Sequence, residues 1–426
     1  MDIKIPDKVK FIIDTFYENN YEAFMVGGCI RDSLLSKEPK DYDIATSALP
    51  NITESLFEKT IPTGIKHGTI TVLLDKEPFE VTTYRVEGEY KDNRRPDNIS
   101  FVTNIKDDLS RRDFTINAFA YNTKEGLKDY FNGLQDLENR IIRTVGDSNK
   151  RFNEDALRMM RAIRFASQLD FNIEKSTLAA IKQNKNLLKN ISAERIRDEL
   201  CKLLLSDNPR KGINLLKDCG VLDIIIPELK SLIEFDENLF NHTLDVVENT
   251  QNNLILRLSA LFHNIGKPNQ HNCEDITKKI LTRLRFDNKT IKTVYNIIKE
   301  YNNVLDSVTD IKIKKLINRT SKEKIYLLLE FKKAHILSLK NSDIDLHKLS
   351  DIKSKIDYIL NSNIPLNVKD LKLDGKVLSD KLNLKPGKVI GETLNYLLEL
   401  VLNNSNLNDE KILLEKAKNF IENKKG

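Results

Sequence analysis

The sequence predicts an α+β chain, with a mixed-sheet head over residues 1–145 followed by an elongated all-helical remainder. Two observations carry that reading. From about Tyr21 to Thr144 the apolar residues come in short β-rich runs separated by turn residues: AFMVGG, DYDIA, GTITVLL, FEVTTYR, NISFVT and RIIRTV. From Arg151 onward they recur at three- and four-residue spacing, as in RFNEDALRMMRAIRFASQL, where Ala156, Met160 and Ile163 form one stripe. A chain of 426 residues exceeds what one hydrophobic core serves. Breaks at Asp207-Asn208-Pro209, at Ile226-Pro227 and around 361–365 divide the helical part. The expected units are a head (1–145), a neck (146–208), a body (209–340) and a tail (341–426), with Lys385-Pro386-Gly387 opening a further helix inside the tail.

Composition narrows the class. Lysine and arginine number 68 against 63 acidic residues, a net charge of +5 that permits a polyanionic partner without demanding one. No apolar run approaches the roughly 18–20 residues that span a bilayer. The first residues, MDIKIPDKVKFII, carry early charge and no small-residue cleavage site, so the expected location is the cytoplasm. Cys29, Cys201, Cys219 and Cys273 are scattered with no CxxC pair, which argues against a zinc site and against a disulfide framework. Nothing in the sequence signals an oligomeric state.

The first element with chemical content is FMVGGCIRDSLLSKEPKDYDIA. An apolar strand ends at Gly27-Gly28, where the lack of side chains lets backbone N–H groups approach a phosphate. A short amphipathic stretch with Arg31 and Asp32 follows, then a turn at Glu38-Pro39, then Asp41-Tyr42-Asp43-Ile44. In an extended segment Asp41 and Asp43 share a face. Two adjacent carboxylates repel, and a hard divalent cation such as Mg²⁺ that bridges substrate phosphates is the natural compensator. In PFEVTTYR, Glu80 alternates with Phe79 and Val81. It is either a third ligand to the same ion, if its strand lies beside Asp41–Ile44, or a solvated residue on a half-exposed strand.

Gly27-Gly28-x-x-Arg31-Asp32 followed by Asp41-x-Asp43 resembles the head of the polymerase-β nucleotidyltransferase superfamily. More narrowly, it resembles the class II tRNA nucleotidyltransferases and the related bacterial poly(A) polymerases. The likeness continues in order. Arg111-Arg112-Asp113-Phe114-Thr115-Ile116-Asn117-Ala118 matches the family's second motif, which implies contacts to the ribose and triphosphate of an incoming nucleotide. Asp129-Tyr130-Phe131-Asn132-Gly133 resembles the motif that links head to neck, with Asn132 where the family more often has glycine. Glu154-Asp155-x-x-Arg158 matches the nucleotide-selection motif, and Ser192-Ala193-Glu194-Arg195-Ile196 with Glu199 resembles the helix behind it. These motifs cover about the first half of the chain.

Asp155 and Arg158, three apart on a predicted helix, are expected to be neighbours. They form either an ordinary surface ion pair or a base-reading pair. Cytosine and adenine each present an amino donor beside a ring-nitrogen acceptor, whereas uracil and guanine present the reverse. An acceptor-only aspartate beside a donor-only arginine would therefore take C and A and reject U and G. The candidate nucleotide-binding set is Gly27, Gly28, Arg31, Arg112, Asp113, Asn117, Asp155, Arg158 and Arg161. Asp41 and Asp43 are the candidate metal ligands, and these two with Glu80 are the candidate catalytic residues.

TYRVEGEYKDNRRPDNISF reads as a polar, mobile loop between two strands, at the position of the family's flexible element associated with A addition. Asn241-His242 and His263-Asn264-Ile265-Gly266 resemble a metal-dependent HD phosphohydrolase motif, but Asn264 stands where a charged ligand is needed. The region is expected to be a degenerate HD-like fold without hydrolase activity. His67, in a turn before a strand, is expected to be structural. Basic residues recur through the neck and tail, among them Arg164, Arg197 and Lys385, as phosphate contacts to a tRNA acceptor arm would need. The resemblance thus implies a template-independent enzyme that adds C, C and A to tRNA from CTP and ATP. Its alternatives are an A-adding enzyme of a divided pair, a poly(A) polymerase, and an HD-type phosphohydrolase with an inactive head. The segment before Gly27 lacks the basic cluster that poly(A) polymerases tend to carry.

Overall fold

The computed structural model describes residues 3–88, 98–339, 343–362, 364–385 and 387–424. The chain divides into two compact units, Met1–Lys230 and Ser231–Gly426.

The first unit is built on a seven-stranded mixed sheet. Its strands are β1 (Ala23–Val26), β2 (Asp43–Thr46), β3 (Thr60–Gly64), β4 (Thr69–Leu74), β5 (Glu77–Thr83), β8 (Phe119–Asn122) and β9 (Gly126–Asp129). A separate antiparallel ribbon pairs β6 (Arg85–Glu87) with β7 (Ile99–Phe101). The sheet order is β3-β4-β5-β2-β1-β8-β9, with β2 and β5 parallel and the other neighbours antiparallel. Four strands escape the sequence pattern. Thr60–Gly64 is polar and largely exposed, Phe119–Asn122 and Gly126–Asp129 are only four residues each, and β6 continues the FEVTTYR run after a break at Tyr84.

The AFMV run of β1 is buried at every position because both faces of the sheet are covered. Ala23 and Met25 face a core shared with Val9, Ile12, Ile13 and Phe16 of the helix Asp7–Glu18. Phe24 and Val26 face a second core with Tyr84, Ile105 and Leu109. The spacing 9, 12, 13, 16 is the amphipathic helical stripe. A strand clamped from both sides is rigid, and it ends at Gly27 where the site begins.

Beyond the sheet come the helices Ser148–Glu154, Leu157–Leu169, Lys175–Asn184, Ala193–Leu204 and Pro209–Asp218. Here the structure corrects one expectation. RFNEDALRMMRAIRFASQL is two helices, not one, because Asp155 has extended backbone angles (φ −136°, ψ 104°) and closes the first. The Asn208-Pro209 break is a helix start, with proline in the first turn.

The second unit is helical throughout its described residues. Several helices begin where a side chain accepts the free N–H groups of the first turn: Asp236, Asn253, Asp287, Thr309 and Asp409. No helix among the described residues is long and apolar enough to cross a membrane. Of Lys385-Pro386-Gly387, Pro386 lies outside the described residues, and a helix Lys388–Asn403 follows Gly387.

Candidate active site

A cavity of about 690 Å³ opens in the first unit, lined by Gly27, Gly28, Arg31, Asp41, Asp43, Arg112, Asp113, Asn117, Asp155, Arg158 and Arg161. Segments more than a hundred residues apart thus meet in one concavity. Glu80 is the one candidate residue that does not line it.

Asp43 and Glu80 sit on adjacent parallel strands, with Asp41 two residues before β2 begins. Ile44 of β2 is in register with Val81 of β5, which sets Asp43 beside Glu80. Phe79 and Val81 are buried while Glu80 is exposed, as the alternation predicts. The pKa of Asp43 is raised, first by desolvation from the surrounding walls and then by the like charges of Asp41 and Glu80, while Arg112 opposes the shift. Three clustered carboxylates that repel, all hard oxygen donors, fit a divalent cation. A raised pKa means that Asp43 keeps its proton to higher pH than a free aspartate. In the metal-free site acidification therefore removes the ligating form early, and the acid limb of kcat/KM at sub-saturating Mg²⁺ is expected above the ordinary aspartate range. Glu80→Gln removes one like charge and should move that limb to lower pH. A pH–rate profile checks this, and an upward or absent shift would contradict it.

A hydrogen-bonded chain among the lining residues holds Arg31 and Arg161 in place. Arg31 donates to Asp32 Oδ1 at 2.7 Å and 2.9 Å and to Asn117 Oδ1 at 2.6 Å. Asn117 Nδ2 donates to Asp113 Oδ1 at 3.2 Å, and Arg161 Nε donates to Asp113 Oδ2 at 2.7 Å. Burial alone would raise the Asp113 pKa, but Arg161 and Asn117 outweigh it and hold the carboxyl at about 2. Gly27 has φ +81°, and a Cβ there would lie 3.0 Å from Arg112 Nη1. A side chain at this position would be strained and would crowd that arginine.

The cavity wall carries eight arginines against five carboxylates among the described residues. Arg112 Nε and Arg85 Nε are buried without a hydrogen-bond partner. Unmet donors in a cationic wall suit a polyanionic ligand such as a triphosphate.

Asp155 and Arg158 both line this cavity, but the structure corrects the expectation that they pair on one helix. The break at Asp155 separates them. The Asp155 carboxylate instead takes Arg195 at 2.7 Å and 3.2 Å. Arg158 binds Glu154 at 2.6 Å and the backbone oxygen of Arg111 at 3.1 Å. Each is therefore held from outside the pair.

Several lining or supporting residues escaped the sequence reading of the site. Asp108, fully buried, accepts Arg111 at 2.7 Å and Arg112 at 3.2 Å. Its position before the arginine pair in DDLSRR was the available signal. Phe165 lies under three guanidinium groups, 4.0 Å from Arg164, 5.1 Å from Arg31 and 5.4 Å from Arg161. Arg85, Glu87 and His67 also line the cavity, and Arg85 donates to the His67 carbonyl. The β6–β7 ribbon flanks the TYRVEGEYKDNRRPDNISF loop, of which residues 89–97 lie outside the described residues.

The Asn132 departure has a backbone explanation. Asn132 is in the left-handed region (φ 58°, ψ 34°) at the start of the helix Gly133–Glu138, and Asp129 accepts N–H bonds from Gly133 and Leu134 at 2.8 Å and 2.9 Å. Asparagine is the residue after glycine that tolerates this conformation. Asn132→Val is expected to cost about 1–2 kcal/mol in urea unfolding and Asn132→Gly only a few tenths. Equal losses would contradict the assignment.

A carboxylate pair on adjacent strands, a glycine turn and a wall of fixed arginines together define a nucleotidyl-transfer head joined to a helical neck. Known proteins resemble the chain along most of its length. Residues 23–143 match the Poly A polymerase head domain, 170–233 the probable RNA and SrmB-binding site of polymerase A, and 268–417 the putative domain 2 of tRNA nucleotidyltransferase. The CCA-adding enzyme of Ligilactobacillus salivarius is 38% identical over 99% of this chain and 98% of its own length. The Bacillus stearothermophilus CCA-adding enzyme, solved in complex with CTP, superposes with a TM-score of 0.77 at 28% identity, covering 97% of each chain. The Thermotoga maritima CCA-adding enzyme, complexed with tRNA, gives a TM-score of 0.59 at 25% identity over 99% of this chain and 97% of its own. The chain belongs to the family of CCA-adding enzymes.

Proposed function

We propose that this protein adds C, C and A in turn to the 3′ end of tRNA, taking CTP and ATP, releasing pyrophosphate and using no template. One observation carries the reading: the repelling carboxylates, the arginine wall and the Asp155 and Arg158 side chains line or flank a single cavity. In the reaction the terminal 3′-oxygen forms a bond to the α-phosphorus, the bond from that phosphorus to the bridging oxygen breaks, and the hydroxyl proton is lost. Mg²⁺ is the ion proposed for Asp41 and Asp43, with Glu80 beside them, and it would supply charge neutralisation and a more acidic hydroxyl. The chain's own groups do the rest. Gly27 and Gly28 admit phosphate to the backbone, and Arg31 and Arg112 counter its charge. Asp113, Asn117 and Arg161 form the rigid ledge against which the sugar is set. Asp155 accepts from the amino group of C or A, and Arg158 donates to the ring nitrogen. Uracil and guanine would set donor against donor and acceptor against acceptor.

The proposed division of labour follows head 1–145, neck 146–208, body 209–340 and tail 341–426, with the helical parts holding the acceptor arm mainly by its shape and phosphates. A cytoplasmic location accords with four cysteines that are all free. To test the function, tRNA transcripts ending at the discriminator base are incubated with CTP and ATP, and product 3′ ends are sequenced. Addition of CCA that then stops is expected. A lone A on CC-ended tRNA would mark a divided pair, and long A tails would mark a poly(A) polymerase.

A further inference from the structure

We propose that His242, His263 and His335 form a binding site for one zinc ion in the second unit, remote in sequence from the carboxylates of the nucleotide cavity. The three come from the helix Glu237–Asn249, the end of Leu254–Phe262 and the helix Ile325–Leu337. Their candidate ligand atoms all lie within 4.8 Å of one another. Ring centroids are 5.4 Å apart for His242–His335, 5.5 Å for His263–His335 and 6.0 Å for His242–His263, and the ring planes cross at 88°, 85° and 71°. Three imidazoles bound to one tetrahedral ion, with metal–nitrogen bonds of about 2.0–2.1 Å, place their centroids about 5–5.5 Å apart. The observed centroid triangle is slightly larger than that, and binding would draw the ligand nitrogens in from within 4.8 Å of one another to about 3.3 Å.

Two hydrogen-bonding facts point the same way. His263 Nδ1 lies 2.7 Å from the Ala260 carbonyl, which fixes the proton there and leaves a lone pair on Nε2. That outer bond is the usual support of a metal-bound histidine. His335 Nδ1 is buried with no hydrogen-bond partner, a cost that a metal bond would remove. Lys267 and Lys332 are the charged neighbours, and the Lys332 ammonium is placed over the Tyr301 ring at 5.5 Å. Asn264 Nδ2 now donates to His263 Nε2 at 2.9 Å and also reaches Thr243 Oγ1 at 3.2 Å. The ion would replace the first bond and leave the second. The scattered cysteines argued against a zinc site, and this proposal revises that expectation, because three imidazoles can hold the ion without a thiolate. Borderline ions that favour imidazole nitrogen fit this donor set better than Mg²⁺ does.

The test uses the full chain, stripped with a chelator and held in excess Mg²⁺ so that the carboxylates are occupied. Co²⁺ is titrated in as a visible probe and then displaced with Zn²⁺. One equivalent with strong tetrahedral absorption, bleached by Zn²⁺, is expected. His242→Gln and His335→Gln, both at partly exposed positions, should each weaken binding more than about tenfold. Asp41→Asn/Asp43→Asn should leave the absorption intact. Absence of the band in the native chain would overturn the proposal. So would a band that survives both histidine variants or vanishes with the carboxylates.

Discussion

The Asp41→Asn/Asp43→Asn double variant is expected to lose at least about a thousandfold in kcat while remaining folded. The magnitude follows from the chemistry that the pair supports. A cation that neutralises the triphosphate and acidifies the attacking hydroxyl is worth several kcal/mol, and each 1.36 kcal/mol is a factor of ten. Folding should survive because Asp43 is exposed at the cavity and carries a raised pKa, so its charge is a strain on the native state and not a support. Asparagine relieves the repulsion while keeping the shape. Single-turnover extension of CC-ended tRNA with ATP, run beside thermal unfolding, separates the two effects. A variant that unfolds earlier than the native chain, or that keeps more than a tenth of its rate, would count against the assignment.

The second large effect concerns choice rather than rate. Asp155→Asn replaces an acceptor-only group by one that can turn a donor toward the base. It also weakens the two bonds from Arg195 that fix the side chain. The preference for CTP over UTP, taken as the ratio of kcat/KM values on tRNA ending at the discriminator base, is expected to fall about 10- to 100-fold. That corresponds to the roughly 1–3 kcal/mol cost of a buried polar group left facing a like partner. Arg195→Ala touches no base in this scheme, yet it should erode the same ratio in the same direction by releasing Asp155. An unchanged ratio in both variants would remove Asp155 from base selection.

Much of the head was legible because its signals are local. Alternation in PFEVTTYR placed Phe79 and Val81 inward and Glu80 outward, and the Gly27-Gly28 turn marked the end of a strand buried on both faces. The two-regime division also held, since a helical period and a strand period differ over any window of a dozen residues. What escaped depends on contacts distant in sequence or on backbone detail. Asp155 carries no mark that it breaks a helix, because the tertiary bond from Arg195, forty residues on, holds it in an extended conformation. Asp108 reads as one more surface carboxylate until the fold buries it under two arginines. His335 sits in an otherwise ordinary helix and gains meaning only when two other helices bring His242 and His263 beside it.

At the heart of the proposed function is selection by protein side chains, which choose the nucleotides without a nucleic-acid template and stop the reaction after three. It is tested most directly by offering all four nucleoside triphosphates at equal concentration to tRNAs ending at the discriminator base, at C and at CC, then sequencing every 3′ end. Completion to CCA from each start is expected, with U and G essentially absent and no fourth addition. Incorporation that follows nucleotide supply, or tails that run on past the first A, would contradict it.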